Sequence, residues 1–264
     1  MADSSALPPA DSTMLANAVD ILRTAGTFTL QWFDNPSLDV VTKSDGTPVT
    51  EADRGAERLI REQLATLHPE DSILGEELDD HIGSSGRTWI VDPIDGTKAF
   101  TRGVPLYSNL LAVVDEHGPL LGVINLPALN TTVYAGRGLG CFRDGRPVSV
   151  STRSEPSRCV LSTSGFGTWS DDALLGVKRA GFELRTWGDG YGYAMVACGA
   201  LDVMVDPQVS LWDIAPMPVI FAEAGGRFTG TDGNEVSLVP GSRVSGVASN
   251  GVVHDAVIAA LHER

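Results

Sequence analysis

"WIVDPIDGTKAF" occupies residues 89–100. An apolar run ends on two aspartates, Asp92 and Asp95, with a proline between them and Gly-Thr directly after. Unpaired charges placed that close together beside a core are costly, so a positive partner is expected on them. Pro93 fixes its own φ and biases Asp92 toward extended geometry. The resulting bend can turn both carboxylates toward one point, with the Ile94 carbonyl on the same side. Hard oxygens of this kind suit Mg2+, and also Mn2+, with water completing an octahedron. Gly96 lets backbone approach a ligand closely. Gly96 and Thr97 then open a turn or helix at "KAF", whose N–H groups and Thr97 hydroxyl can receive phosphate oxygens. Metal ligands followed at once by a phosphate cradle point to metal-assisted phosphoryl chemistry.

Three more acids stand at element boundaries: Asp53 in "TEADR", Glu76 in "GEE" and Asp213 in "WDIAP". Each has an ordinary alternative. Asp-Pro and Asp-Gly are common turn formers, "GEE" can be a solvated turn, and Asp213 can simply cap a helix. Asp53 can be a first-turn partner of its helix dipole. The metal reading rests on the set of five.

The chain has 264 residues, enough for one large domain or two small ones. Hydrophobic residues make up 42% and charged residues 20%, as in ordinary globular proteins. A net charge of −15 argues against a nucleic-acid partner. Three widely spaced cysteines give neither a disulfide framework nor a zinc pattern and suit a reducing compartment. "MADSSALPPADS" has no basic region followed by an apolar core, so no signal peptide is expected. No apolar stretch reaches the roughly 20 residues of a membrane span. A cytoplasmic setting with no membrane partner is expected.

Residues 1–11, small, polar and Pro-containing, are expected to be disordered. Helical spacing predicts a helix capped by Asp11 or Ser12, and a second one that starts near Thr50 to Asp53 and ends before Pro69. "SILGEEL" predicts a strand entering an acidic turn, and "TWIVDPIDGT" a strand that ends at Asp92. "YSNLLAVVDEHGPLLGVINLPALNTTVYAGRGLGCFRDGRPVSV" predicts an antiparallel meander. From about residue 151 strands and helices alternate, including one helix opened by Trp212-Asp213 and closed by Gly225-Gly226. Residues 12–150 thus form helices plus an antiparallel sheet carrying most of the acids. Residues 151–264 form an α/β half that completes the site, and the two act as one unit.

"GEE", then "WIVDPIDGTKAF", then "WDIAP" together resemble the inositol monophosphatase family of Mg2+-dependent phosphatases, from "TKSDGTPVTEAD" to the last helix. The resemblance implies an α/β fold, the layered α-β-α-β-α sugar-phosphatase sandwich, commonly dimeric. "LLAVVDEHGPLLGVINL" offers apolar surface for such a homodimer. The resemblance further implies that Glu76, Asp92 and the Ile94 carbonyl hold a first metal. Asp92, Asp95 and Asp213 would hold a second, and a third could bind near Glu76 and Asp53, so two or three Mg2+ per site. Gly96 and Thr97 would bind phosphate. Asp53 with Thr97, or Glu76, would orient and deprotonate the attacking water. Lys43, in the loop "VTKSDGTPVTEAD", is a candidate contact to the site or a solvated loop lysine.

Family membership leaves the phosphate ester open. "FELRTWGDGYGYAMVACGALDVMVDP" resembles the histidinol-phosphate phosphatases of actinobacterial type within this family. Asp189 and Asp206 would suit the basic groups of L-histidinol phosphate through charge-assisted hydrogen bonds, with Arg185 on the substrate's polar end or bracing an aspartate. Trp187, Tyr191 and Tyr193 could wall an imidazole or belong to the core. Inositol-1-phosphate or another sugar or nucleotide ester remains open. So does a silent metal- or phosphosugar-binding module, although every position expected to bind metal or activate water carries a competent side chain.

Overall fold

The computed structural model describes residues 7–43, 46–238 and 244–263. Asp11 caps helix α1 (Ser12–Thr29), its carboxylate accepting from Thr13 N at 2.7 Å. Of the start expected to be disordered, residues 1–6 lie outside the described residues. Residues 8–10 are fixed: Ala10 N donates to the Arg137 carbonyl, and Arg137 Nη1 donates to Pro8 O.

A hairpin of β1 (Val40–Thr42) and β2 (Pro48–Thr50) runs into α2 (Glu51–Leu67). Ser44 and Asp45, at its tip, lie outside the described residues. Thr50 and Asp53 form a reciprocal capping box at the start of α2, which fixes its first turn. There follow β3 (Ser72–Gly75), β4 (Thr88–Asp95), the single turn α3 (Thr97–Phe100) and five more strands. These are β5 (Ser108–Asp115), β6 (Gly118–Leu126), β7 (Thr131–Gly136), β8 (Gly140–Arg143) and β9 (Arg146–Pro147). Among the described residues they make one sheet in sequence order. The meander is present as expected. The sheet departs from full antiparallelism in one place, β3 running parallel to β4.

A second departure shapes the site. The strand expected to stop at Asp92 continues to Asp95. Asp92 pairs with Leu110 and Asp95 with Ser108, so Pro93 and Ile94 together face the single residue Asn109. A proline that cannot donate to the ladder is tolerated at such a bulge, which re-aims the flanking side chains.

The second half alternates β10 (Val160–Ser162), α4 (Asp171–Arg179), β11 (Glu183–Arg185), α5 (Asp189–Ala197) and β12 (Val203–Val209). It continues with α6 (Leu211–Ile214), α7 (Met217–Ala224), β13 (Arg227–Thr229), β14 (Val244–Ser249) and α8 (His254–Leu261). The helix expected across 212–226 is two helices, because Pro216 interrupts it; Gly225, at φ 77°, ends the second as expected. The strands order as β11-β10-β12-β14-β13.

Side-chain alternation stacks these parts into five layers. Trp89, Val91, Leu111, Val113, Leu121 and Val123 of the first sheet face α1 and α2. Leu110, Ile124 and Val133 face α5 and α7, which meet Met204 and Ala248 of the second sheet on their other side. Val203, Val205 and Val247 face α4 and α8. The layering is α-β-α-β-α. Leu110–Val113 and Leu120–Leu126, named above as apolar surface for a dimer, are buried inside the chain. Covering both faces of the sheet consumes that surface, at about 1.5–3 kcal/mol per large side chain. Among the described residues, no helix is long and apolar enough to cross a membrane.

Candidate active site

The bulge in β4 brings the aspartates together. Carboxylate oxygens of Asp92, Asp95 and Asp213 lie within 4.8 Å of one another. Asp92 is 1% exposed and Asp95 7%. Asp213 arrives from the first turn of α6, where Ser210 N donates to its Oδ2 at 2.8 Å. Asp95 Oδ2 accepts from Ser108 Oγ at 2.6 Å and from Gly190 N at 2.5 Å. Those bonds hold one oxygen of each of these two residues and orient the other. Asp92 Oδ1 is buried with no hydrogen-bond partner.

Glu76 follows β3, its N–H continuing the ladder to Val91 O at 3.3 Å. Lys43 reaches it from the β1–β2 hairpin, Nζ donating to Glu76 Oε1 at 2.7 Å and also to Glu77 Oε1. The acidic turn is gripped from α2. Buried Glu57 accepts from Glu77 N at 2.8 Å and from Arg61 Nε at 2.8 Å, while Arg61 also donates to the Leu78 and Asp79 carbonyls. Gly75 is required there, because a Cβ would overlap Glu57 Oε1.

Asp53 is fully buried at the third position of α2, where Oδ2 accepts from Thr50 N (2.8 Å) and Thr50 Oγ1 (2.6 Å). Its Oδ1 lies 3.5 Å from Thr97 Oγ1, which donates to Ile94 O at 3.0 Å. Gly96, at φ 78°, precedes α3 as expected. A side chain there would meet Asp189 Oδ2 at 2.8 Å, so the Asp189 carboxylate stands directly beside the Gly96–Thr97 turn.

The substrate candidates divide. Asp189, at φ 54°, opens α5 and is half-buried; Ser164 Oγ accepts from its N–H at 2.8 Å. Among the described residues no lysine or arginine lies within ion-pair distance of it. Asp206 lies behind it, 3% exposed, accepting from Ser164 N (2.9 Å), Ser164 Oγ (3.0 Å), Thr163 Oγ1 (3.3 Å) and Tyr193 OH (2.9 Å). Arg185 is turned away from both, paired with Glu183 and stacked 5.7 Å above the exposed Trp187 ring. Tyr193 belongs to the core, whereas Trp187 is 44% exposed.

Burial and mutual repulsion act on the whole group. Burial, then Glu76, Asp95 and Asp213, push Asp92 well above the carboxylate range. Burial, then Asp189 and Asp213, do the same to Asp95, against the hydrogen bonds from Ser108 and Gly190. Burial raises Glu76 to about 7, Asp213 to about 7, and Asp53 and Asp189 to about 6. Burial alone would depress Lys43, but Glu76 and Glu77 carry it above the usual lysine value. A cluster of acids that resists ionisation, an orphaned Asp92 oxygen and an ammonium drawn onto Glu76 are what a cation site looks like before its cation is considered. All donors are hard oxygens, so the residues fit a divalent ion of the Mg2+ or Mn2+ type.

Four participants lie outside the acidic motifs: Glu57, Ser108, Asn109 and Ser164. The detectable one was the polar pair Ser108–Asn109 opening an otherwise apolar strand.

The sequence profile described as the inositol monophosphatase family matches residues 10–264. A histidinol-phosphatase of Mycobacterium tuberculosis is 41% identical over 261 residues, covering 96% of this chain and 98% of that protein. A histidinol-phosphatase of Chlorobaculum parvum is 41% identical over 248 residues, covering 92% and 95%. An IMPase structure from Thermotoga maritima superposes with a TM-score of 0.85 at 32% identity, covering 94% and 96%.

Proposed function

Since the chain belongs to the inositol monophosphatase family, we propose that this phosphatase hydrolyses L-histidinol phosphate to L-histidinol and phosphate, using divalent metal ions held by its carboxylate cluster. The observation that carries the metal part is the convergence of Asp92, Asp95 and Asp213, with one Asp92 oxygen buried and unpartnered. Glu76, Asp92 and Ile94 O would hold one ion; Asp92, Asp95 and Asp213 would hold another. When bound, such ions supply positive charge that offsets the phosphate dianion and makes water more acidic.

The chain's own residues do the rest. The Gly96 and Thr97 N–H groups, freed by the left-handed Gly96, receive phosphate oxygens. Asp53, held at its Oδ2 by Thr50, presents Oδ1 toward Thr97 Oγ1 and takes a proton from the attacking water. At about 6, its pKa makes it a stronger base than a solvated carboxylate while leaving it largely ionised above neutrality. Asp189, beside the phosphate turn and with no lysine or arginine within ion-pair distance among the described residues, faces the leaving group and pairs with the ammonium or imidazolium of histidinol, while Lys98 favours its charged form from farther off. Asp206 serves behind it by fixing Ser164, which in turn holds the Asp189 N–H.

Support for the ester comes from relatives of nearly full length that are named histidinol-phosphatases. The test is phosphate release with Mg2+ from histidinol phosphate, inositol-1-phosphate, fructose-1,6-bisphosphate and 3′-phosphoadenosine 5′-phosphate. A kcat/KM at least about tenfold higher for histidinol phosphate, or roughly 1.4 kcal/mol of transition-state preference, is expected. A flat or inositol-favouring profile would refute the substrate assignment and leave the metal chemistry standing.

A further inference from the structure

Asn109 stands opposite the bulge and donates from Nδ2 to the Pro93 carbonyl at 2.6 Å. It is fully buried, and Asn125 and Thr132 behind it are buried too. Asn109 Oδ1 accepts from Asn125 Nδ2 at 3.0 Å. Asn125 Oδ1 accepts from Thr132 Oγ1 at 3.1 Å, and Thr132 Oγ1 accepts from Arg23 Nε at 3.0 Å. Each neutral member accepts from the one outside it and donates to the one inside it, so the chain is polarised in one direction, from a guanidinium to Pro93 O. Arg23 stands in an open cleft of about 500 Å3 with Thr27, Asn130 and Asp144 on its walls.

We propose that Asn109 is a positioning residue for the metal-binding bulge, oriented by a relay that runs from exposed Arg23 through buried Thr132 and Asn125. The inference rests on the metal reading above. The physical reason lies in the bulge itself. Pro93 and Ile94 have no paired Cα partners across the strand, and a buried carbonyl left unpaired there costs about 1–3 kcal/mol. The Asn109 amide meets that carbonyl and so fixes the rotation of the Pro93–Ile94 peptide. That peptide lies between the two aspartates and precedes the Ile94 carbonyl offered to metal.

A second element is built around the same pair. Gly26 lies inside α1, where glycine costs about 1 kcal/mol relative to alanine. A Cβ there would overlap Asn125 Nδ2 and come within 2.9 Å of Asn109 Oδ1. Asn125 Nδ2 also reaches the Leu22 carbonyl of that helix at 3.3 Å. The helix therefore accepts a weak residue where the asparagine pair needs room.

The test is Mn2+ binding to the full chain, read from the electron paramagnetic resonance signal of free Mn2+ without substrate. Asn109→Ala should raise the Mn2+ dissociation constant by about tenfold or more, the usual effect of losing a group that orients ligands. Gly26→Ala, on another element and touching no carboxylate of the site, should raise it in the same direction. Val113→Ala, which opens a cavity on the same strand, should lower the melting temperature with the Mn2+ constant unchanged. If Asn109→Ala fails to fold, Thr132→Val with Gly26→Ala carries the test. Unaltered Mn2+ affinity in the folded relay variants overturns this inference alone. Absence of Mn2+ binding by the unmodified chain overturns the metal reading and this inference with it.

Discussion

Asp95 shows how much one side chain is asked to do. Its Oδ2 receives two hydrogen bonds, from Ser108 Oγ and Gly190 N, while burial and neighbouring acids oppose its ionisation. Asp95→Asn keeps an oxygen acceptor for both donors and removes a charge from the cluster. Phosphate release with Mg2+ should fall at least about a hundredfold, whereas the melting temperature in EDTA should hold or rise. Full turnover by this variant at saturating Mg2+ would contradict the two-ion assignment. Asp189→Asn should raise KM for histidinol phosphate well beyond any change for inositol-1-phosphate; equal effects would return Asp189 to the scaffold. The aspartates were legible in sequence because proline and glycine around them announce a bend. Ser108 and Asn109 were not, since their meaning depends on a bulge in the strand they face. Arg185 and Asp206 were legible only as chemistry. Where each points, one toward Glu183 and Trp187 and the other into a ring of four donors, depends on tertiary packing.

Several elements deliver their acids from a first turn or a strand end: α2 brings Asp53, β4 brings Asp95, α5 brings Asp189 and α6 brings Asp213. There, backbone N–H groups without helical partners donate to carboxylates, as Thr50 N and Ser210 N do. The caps on α1 and α2 were legible from local spacing. The extension of β4 past Asp92 and the break at Pro216 were not, because the first depends on re-pairing with Ser108 and the second on whether a proline bends or divides a helix. The grip of α2 on the acidic turn makes a prediction about elements. Gly75→Ala would drive a methyl into Glu57, costing about 1–3 kcal/mol of stability. It should also raise the Mg2+ concentration needed for half-maximal phosphate release. Thermal unfolding and a Mg2+ titration check the two parts together, and a variant with normal stability and normal Mg2+ demand would show that Glu57 does not position the turn.

Across the molecule, the five layers place an acidic cluster inside a chain that already carries a net charge of −15. Residue spacing alone showed a meander followed by alternating strands and helices; the layered order was legible only through the resemblance of the acidic motifs to a known family. The burial of "LLAVVDEHGPLLGVINL" was not, because its outward face is covered by distant helices. The cluster ties stability to pH. Glu76 and Asp213 titrate at about 7 when folded, against about 4 for exposed carboxylates. The folded, metal-free chain therefore binds more protons than the unfolded chain, and its stability falls as pH rises through that window. His68 and His254, held below the ordinary histidine value, act in the opposite sense only below about pH 6.5. Between pH 6.5 and 8 the melting temperature in EDTA should drop by at least about 3 °C, the shift that roughly 1 kcal/mol gives a chain of this size. Saturating Mg2+ should flatten the slope, and equal slopes with and without Mg2+ would show that no cation neutralises these acids. The most direct trial of the account is phosphate release from L-histidinol phosphate after EDTA treatment, followed by stepwise return of Mg2+. No release is expected in EDTA, with a saturable recovery as Mg2+ returns; full release in EDTA would show that the reaction runs without metal.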